Sequence, residues 1–134
     1  MEPRFLLDTH VLLRWLMEPR KLSHAQRRAI ENAERNGQAV AVSAVSLVEI
    51  AVLASGIEPR IDIRPGQFFE ELQANPFFQL LPLTYEIASE VASLGASLRD
   101  PADRAIVATA RVHRLKLATS DQRIVESKLA QVVE

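Results

Sequence analysis

The strongest constraint on this chain is a set of short strands with no polar face. Phe5-Leu6-Leu7 and Ala39-Val40-Ala41-Val42 are apolar at every position. A strand with one solvated face alternates apolar and polar residues. A run without alternation needs cover on both sides, as parallel strands between helical layers have. Phe78-Gln79-Leu80-Leu81-Pro82-Leu83 and Leu115-Lys116-Leu117-Ala118-Thr119 read as a third and a fourth strand, and Val132-Val133 as a small fifth strand at the edge.

Helical patterns separate these runs. Val11, Leu12, Trp15 and Leu16 follow helical spacing until Pro19 stops the segment. Ser23 and Gln26 have the spacing of a capping box, and the polar helix they open ends at Asn36-Gly37. Ser43 caps a helix running through Val45, Leu47, Val48, Ile50, Val52 and Leu53 to Gly56. Residues 57–66 read as a loop, and a short helix over 67–73 ends at Asn75-Pro76. Thr84 caps a helix whose apolar residues are Ile87, Val91, Leu94 and Leu98. Asp100-Pro101 opens the next one, which carries Ile106, Val107 and Ala110, and Ser120-Asp121 starts a last short helix.

Strand–helix alternation over 134 residues, with no repeat or linker, predicts one α/β domain with a mainly parallel sheet. Ligands of such sheets bind beyond the C-terminal ends of the strands. No apolar run approaches the roughly 20 residues of a membrane-spanning helix, so no membrane partner is expected. The opening segment Met1-Glu2-Pro3-Arg4-Phe5-Leu6-Leu7-Asp8 shows no signal-peptide pattern, and a cytoplasmic location is expected. The absence of cysteine excludes disulfides, thiolate zinc sites and cysteine nucleophiles. The four glycines form no phosphate-binding loop, and there is no Gly-x-Ser-x-Gly elbow. Asp8-Thr9-His10 lacks the second aspartate of the Asp-x-Asp phosphatases.

The acids carry the chemistry. Asp8 follows the first strand directly, and Asp121 follows the fourth after two hydroxyl residues, so both belong to the C-terminal edge of one sheet. Glu49 is the only charged residue between Gln38 and Ile57, in a helix apolar on nearly every side. Asp103 stands in the first turn of the helix after Asp100. Helix capping accounts for each aspartate singly, and Glu49 fits a box if Ser46 is the cap. Taken together, three or four acids at one edge repel one another when ionised. Oxygen-liganding cations such as Mg²⁺ or Mn²⁺ resolve that conflict. Of the histidines, only His10 is close to the acids in sequence. Arg14, Arg104 and Arg123 lie near the same segments and are candidate phosphate contacts, with surface ion pairs as the alternative.

Four segments, in order, resemble the motifs of PIN-domain ribonucleases: residues 5–13 (Phe-Leu-Leu-Asp-Thr-His-Val-Leu-Leu), 42–51 around Glu49, 100–110 beginning Asp-Pro-Ala-Asp-Arg, and 117–121 (Leu-Ala-Thr-Ser-Asp). The chain is similar, along its whole length, to the compact VapC-type toxins of toxin–antitoxin pairs. That resemblance implies a three-layer α/β/α fold and a single PIN domain over 1–134. It implies an Mg²⁺- or Mn²⁺-dependent endoribonuclease, often a homodimer, that hydrolyses RNA phosphodiesters and is held inactive by a VapB-type antitoxin. By motif position, the resemblance implies a catalytic and metal-binding set of Asp8, Glu49, Asp103 and Asp121, with Thr9 and Ser120 at positions where the family often has hydroxyls near the site, and Asp100 as a cap first and an outer ligand second. Two other functions fit the same residues: a non-catalytic RNA- or antitoxin-binding module, and a small-molecule phosphohydrolase. The RNA that is cut, the number of metal ions and the oligomeric state are not readable from the motifs. Removing the four acids turns the net charge from -1 to +3, a mildly basic, arginine-rich scaffold around an acidic centre.

Overall fold

In the computed structural model, which describes residues 2–134, five strands form one sheet. Met1, the first residue of the expected 1–134 domain, lies outside the described residues. The strands are β1 (Phe5–Leu7), β2 (Val40–Ser43), β3 (Phe78–Leu81), β4 (Lys116–Ala118) and β5 (Val132–Val133). Their spatial order is β3-β2-β1-β4-β5, and all four pairings are parallel. Leu6 is in register with Ala41 on one side and with Leu117 on the other.

Seven α-helices cover the two faces of the sheet: α1 (Thr9–Met17), α2 (His24–Arg35), α3 (Ala44–Ala54), α4 (Pro65–Ala74), α5 (Tyr85–Ser93), α6 (Pro101–His113) and α7 (Gln122–Ser127). Successive strand side chains point to opposite layers, which explains the absence of a polar face. Leu6, Ala41 and Leu117 pack with Ile87, Ile106 and Ile124 from α5, α6 and α7. Leu7, Val40, Val42 and Ala118 pack with Val11, Leu12, Ile30 and Ile50 from α1, α2 and α3. The result is the α/β/α sandwich that the resemblance implies.

Local signals set most helix starts. The hydroxyl of Ser23 accepts from the Gln26 N–H while the Gln26 amide oxygen accepts from the Ser23 N–H, so the capping box at α2 is complete. Ser43, not Ser46, caps α3, and Thr84 caps α5. Several expected boundaries shift: the second strand is Val40–Ser43 and the fourth is Lys116–Ala118. The third strand stops at Leu81, before Pro82, which has no N–H to give to a ladder. The short helix after the 57–66 loop starts earlier than expected, at Pro65. Helix α5 stops at Ser93 rather than continuing to Leu98, because Gly95 turns the chain with φ +75°. Leu94 and Leu98 are nonetheless buried, carried into the core by a loop that folds back on α6.

Leu117 is fully buried at the centre of the sheet. Leu117→Ala is expected to lower the unfolding free energy by about 2–5 kcal/mol in denaturant titrations. Tyr85→Ala, at a fully exposed position, is expected to stay within about 0.5 kcal/mol of wild type.

Candidate active site

The pairing of β1 with β4 brings two of the acids together. The Asp8 N–H bonds the Ala118 carbonyl at 3.0 Å, which continues the ladder one residue past β1. Asp8 then caps α1, its Oδ1 accepting from the Val11 N–H at 2.8 Å. Its Oδ2 accepts from the hydroxyl of Thr119. The same hydroxyl oxygen accepts from the Asp121 N–H at 3.1 Å. Thr119 is therefore a physical link between the Asp8 carboxylate and the Asp121 backbone. Asp8 is buried, and burial pushes its carboxyl above the usual range against the opposing hydrogen bonds from Thr119 and Val11.

Glu49 reaches the same edge from α3. Its Oε1 accepts the proton of the Thr9 hydroxyl. That hydroxyl has a single proton, so the Ser46 hydroxyl, 2.8 Å away and fully buried, is left to donate to Thr9. Ser46, Thr9 and Glu49 thus form a short relay that orients the carboxylate. Thr9 acts where the resemblance placed a hydroxyl. Ser120 does not: its Oγ accepts from the buried Gln26 amide at 3.0 Å, and Gln26 also reaches the Val133 carbonyl at 3.3 Å. The hydroxyl beside the acids belongs to Thr119.

Asp103 comes from the first turn of α6. Asp100 caps that helix, with Oδ1 accepting from the Asp103 N–H at 3.0 Å. Arg104, read from sequence as a candidate phosphate contact, is committed elsewhere. Its guanidinium donates to the carbonyls of Gly95 and Leu98 at 2.6 Å and of Val91 at 2.7 Å. It ties α6 to α5 and the loop that follows, and it is not among the residues that line the cleft of the acids.

Asp8, Glu49, Asp103 and Asp121 line one cleft of about 570 Å³. His10, Asp100, Arg60 and Arg123 line it too, while Arg14 does not. Arg60 comes from the α3–α4 loop, where sequence reasoning saw only a connection. Its position follows from its backbone N–H, which bonds the Leu53 carbonyl at 2.8 Å and folds the loop over the end of α3. Arg123 grips Asp121 through Nε (3.2 Å) and Nη2 (2.9 Å), and its backbone N–H donates to Asp121 Oδ1 at 2.9 Å. These bonds hold the Asp121 carboxyl below its ordinary range.

Asp103 is in the opposite situation. Its Oδ2 is buried with no hydrogen-bond partner, and the nearest cation, Arg123 Nη2, stands 3.5 Å away. Burial, then the charges of Asp100 and Asp121, push its carboxyl up to about 6. An orphaned carboxylate oxygen facing other carboxylates is a demand for a hard cation, and the donor set is all oxygen. The residues fit a divalent ion in chemistry. Their spacing is open: among the described residues, no three acidic or histidine side chains stand close enough to share one ion.

Comparison with known proteins agrees with this architecture. A family model described as PIN domain matches residues 5–128. Ribonuclease VapC22 of Mycobacterium tuberculosis is 36% identical over 120 residues, covering 89% of this chain and 88% of that protein. Among solved structures, VapBC2 from Rickettsia felis bound to a promoter DNA fragment superposes with a TM-score of 0.70 at 11% identity, covering 98% of this chain and 97% of that one. FitAcB from Neisseria gonorrhoeae gives 0.65 at 22% identity, covering 97% and 96%. At these identities the two structures speak to the fold.

The electrostatics make a stability prediction. A carboxyl raised from 3.8 to about 6 on folding keeps its proton longer in the native state. Without metal, stability is therefore expected to fall as pH rises from about 4 through about 6, by roughly 1 kcal/mol once solvent at the cleft mouth is allowed for. Asp103→Asn removes that penalty. Thermal melts in chelator are expected to show the variant above wild type at pH 7.5 and level with it near pH 4.

Proposed function

The chain belongs to the PIN-domain family as a homologue of the VapC ribonucleases, and on that premise we propose that it is the toxin of a toxin–antitoxin pair that hydrolyses RNA phosphodiesters with Mg²⁺ or Mn²⁺ held by Asp8, Glu49, Asp103 and Asp121. Residues 1–134 act as one PIN domain in this reading. The observation that carries the site assignment is the orphaned Asp103 Oδ2 in a cleft where the other three acids also face inward. The PIN nucleases generally use divalent cations; such an ion supplies Lewis acidity, neutralising phosphate charge and acidifying water.

The chain's own residues do the rest. Thr119 and the Val11 N–H hold Asp8 by both oxygens, so it enters the reaction with its orientation fixed. Thr9, steadied by Ser46, does the same for one oxygen of Glu49 and leaves the other free. Asp103 Oδ2 has no hydrogen bond, only the Arg123 guanidinium at 3.5 Å. Arg60 and Arg123 give the cleft two cations suited to the phosphates of a bound strand. The apolar residues Val45, Val48, Val52 and Leu53 form another wall of the cleft.

Asp8→Asn separates chemistry from folding. An Asn amide oxygen still caps Val11, and its NH₂ can donate to Thr119, so the fold is expected to persist. Cleavage of an RNA substrate in Mg²⁺ is expected to fall at least about a hundredfold, and chelator is expected to abolish it in wild type. An Asp8→Asn protein that cuts at the wild-type rate overturns the assignment. A purely binding module would show no metal-dependent cleavage, and a small-molecule phosphohydrolase would turn over nucleotides while leaving RNA intact.

The partners follow from the same reading: RNA as substrate, a VapB-type antitoxin as inhibitor, and a second copy of the chain. Val48 and Val52, one turn apart on α3, are 63% and 66% exposed, an apolar pair that a partner would cover. Light scattering at micromolar concentration is expected to return twice the mass of the chain; a monomer rules out the homodimer. A small reading frame adjoining the gene, whose product copurifies with the chain and stops cleavage, is the expected form of the antitoxin.

A further inference from the structure

We propose that Arg123 is a tethered counter-ion of the metal-free site, which occupies the Asp103 and Asp121 carboxylates until a divalent cation displaces it and which thereby sets the affinity for that cation. The inference rests on the metal-dependent reading above and concerns a residue that the four-acid motif does not include.

Three observations carry it. First, the guanidinium is forked onto Asp121 and its Nη2 is also the nearest cation to Asp103, so one side chain spans both acids. Second, the two acids are served unequally. Asp121 receives three hydrogen bonds from Arg123, whereas Asp103 Oδ2 is left buried with a charge at 3.5 Å and no hydrogen bond. Arg123 lessens the repulsion across the cleft without satisfying it. Third, the acids stand open, with no three of them close enough to share an ion among the described residues.

The chemistry follows from valence and tethering. A divalent ion that takes oxygens from Asp103 and Asp121 needs the atoms Arg123 already engages, and it repels the guanidinium beside it. The two cannot be held at once. Arg123 stands two residues after Asp121 and so is never diluted away from it. It is also 71% exposed, so rotating it outward strands no buried charge. Exposed pairs of this kind are weak, which makes the arginine a reversible occupant and not a permanent block. The site is thereby kept from the full cost of its own acids when metal is scarce.

The test is Mn²⁺ titration of metal-stripped protein by calorimetry, with melting temperature in chelator as a second readout. Arg123→Gln is expected to bind Mn²⁺ roughly five- to tenfold more tightly than wild type and to melt lower in chelator. Arg60→Gln removes a cation from the same cleft without touching an acid, and is expected to change affinity less than about twofold. Unchanged or weaker Mn²⁺ binding by Arg123→Gln overturns the proposal, and so does an equal gain from Arg60→Gln, which reduces the effect to net charge. The wild-type isotherm tests the metal reading itself: if neither wild type nor Arg123→Gln takes up Mn²⁺, both ideas fail together, whereas wild-type binding with no difference between the two sinks only the role of Arg123.

Discussion

The contact on which the rest of the site depends is the parallel pairing of β1 with β4. Leu6 and Leu117 meet at the centre of the sheet, and their neighbours Leu7 and Ala118 carry the register to the edge. One residue further on, the Asp8 N–H takes the Ala118 carbonyl and the Thr119 hydroxyl takes the Asp8 carboxylate. Slipping that register by one residue would turn the apolar strand faces over. It would also separate Asp8 from Thr119 and so from Asp121. The core and the site are therefore specified by the same few residues, and a packing defect at Leu117 would reach the carboxylates through one hydrogen bond.

The same edge concentrates charge that folding alone would avoid. Asp8 is buried, Asp103 has an oxygen with no partner, and Asp100 and Asp121 add to the repulsion that Asp103 experiences. Positions at which a protein keeps such a cost are those where stability is exchanged for function. The fold contains that cost by fixing the backbone around each acid. Asp8, Asp100 and Asp121 each cap the helix that follows, so the residues that repel one another as charges also stabilise the elements that hold them. The capping and liganding explanations of these aspartates are not rivals: the cap bond fixes the orientation of the same carboxylate that lines the cleft.

Much of this was legible in the sequence because it is local. The unalternated strands, the Ser23–Gln26 box, the Ser43 and Thr84 caps and the strand-end positions of Asp8 and Asp121 all follow from a few neighbouring residues. Glu49 stood out by its isolation in an apolar helix. What escaped was set by distant contacts. Thr119 and Ser120 are adjacent hydroxyls, and only the strand's facing decides which of them meets Asp8 and which meets Gln26, nearly a hundred residues away. Arg104 reads as a free cation beside a motif, yet the carbonyls of Val91 in α5 and of Gly95 and Leu98 in the loop beyond it consume it. Arg60 sits in a loop with no periodicity to read. The end of α5 is not readable from periodicity, because the apolar spacing of Leu94 and Leu98 outlasts the helix that begins it.

The two arginines that flank Asp103 differ in a way that bears on ionic strength. Arg104 bonds neutral carbonyls within the fold, a charge–dipole contact that dissolved salt screens little. Arg123 pairs with carboxylates at the solvent boundary, where added salt weakens an ion pair over distances of about 10 Å at 0.1 M. Raising the salt concentration therefore loosens the movable cation of the cleft and leaves the helix that carries Asp103 in place. The scaffold and its counter-ion thus respond differently to the same solution, which sets how firmly the acids of the cleft keep their arginine.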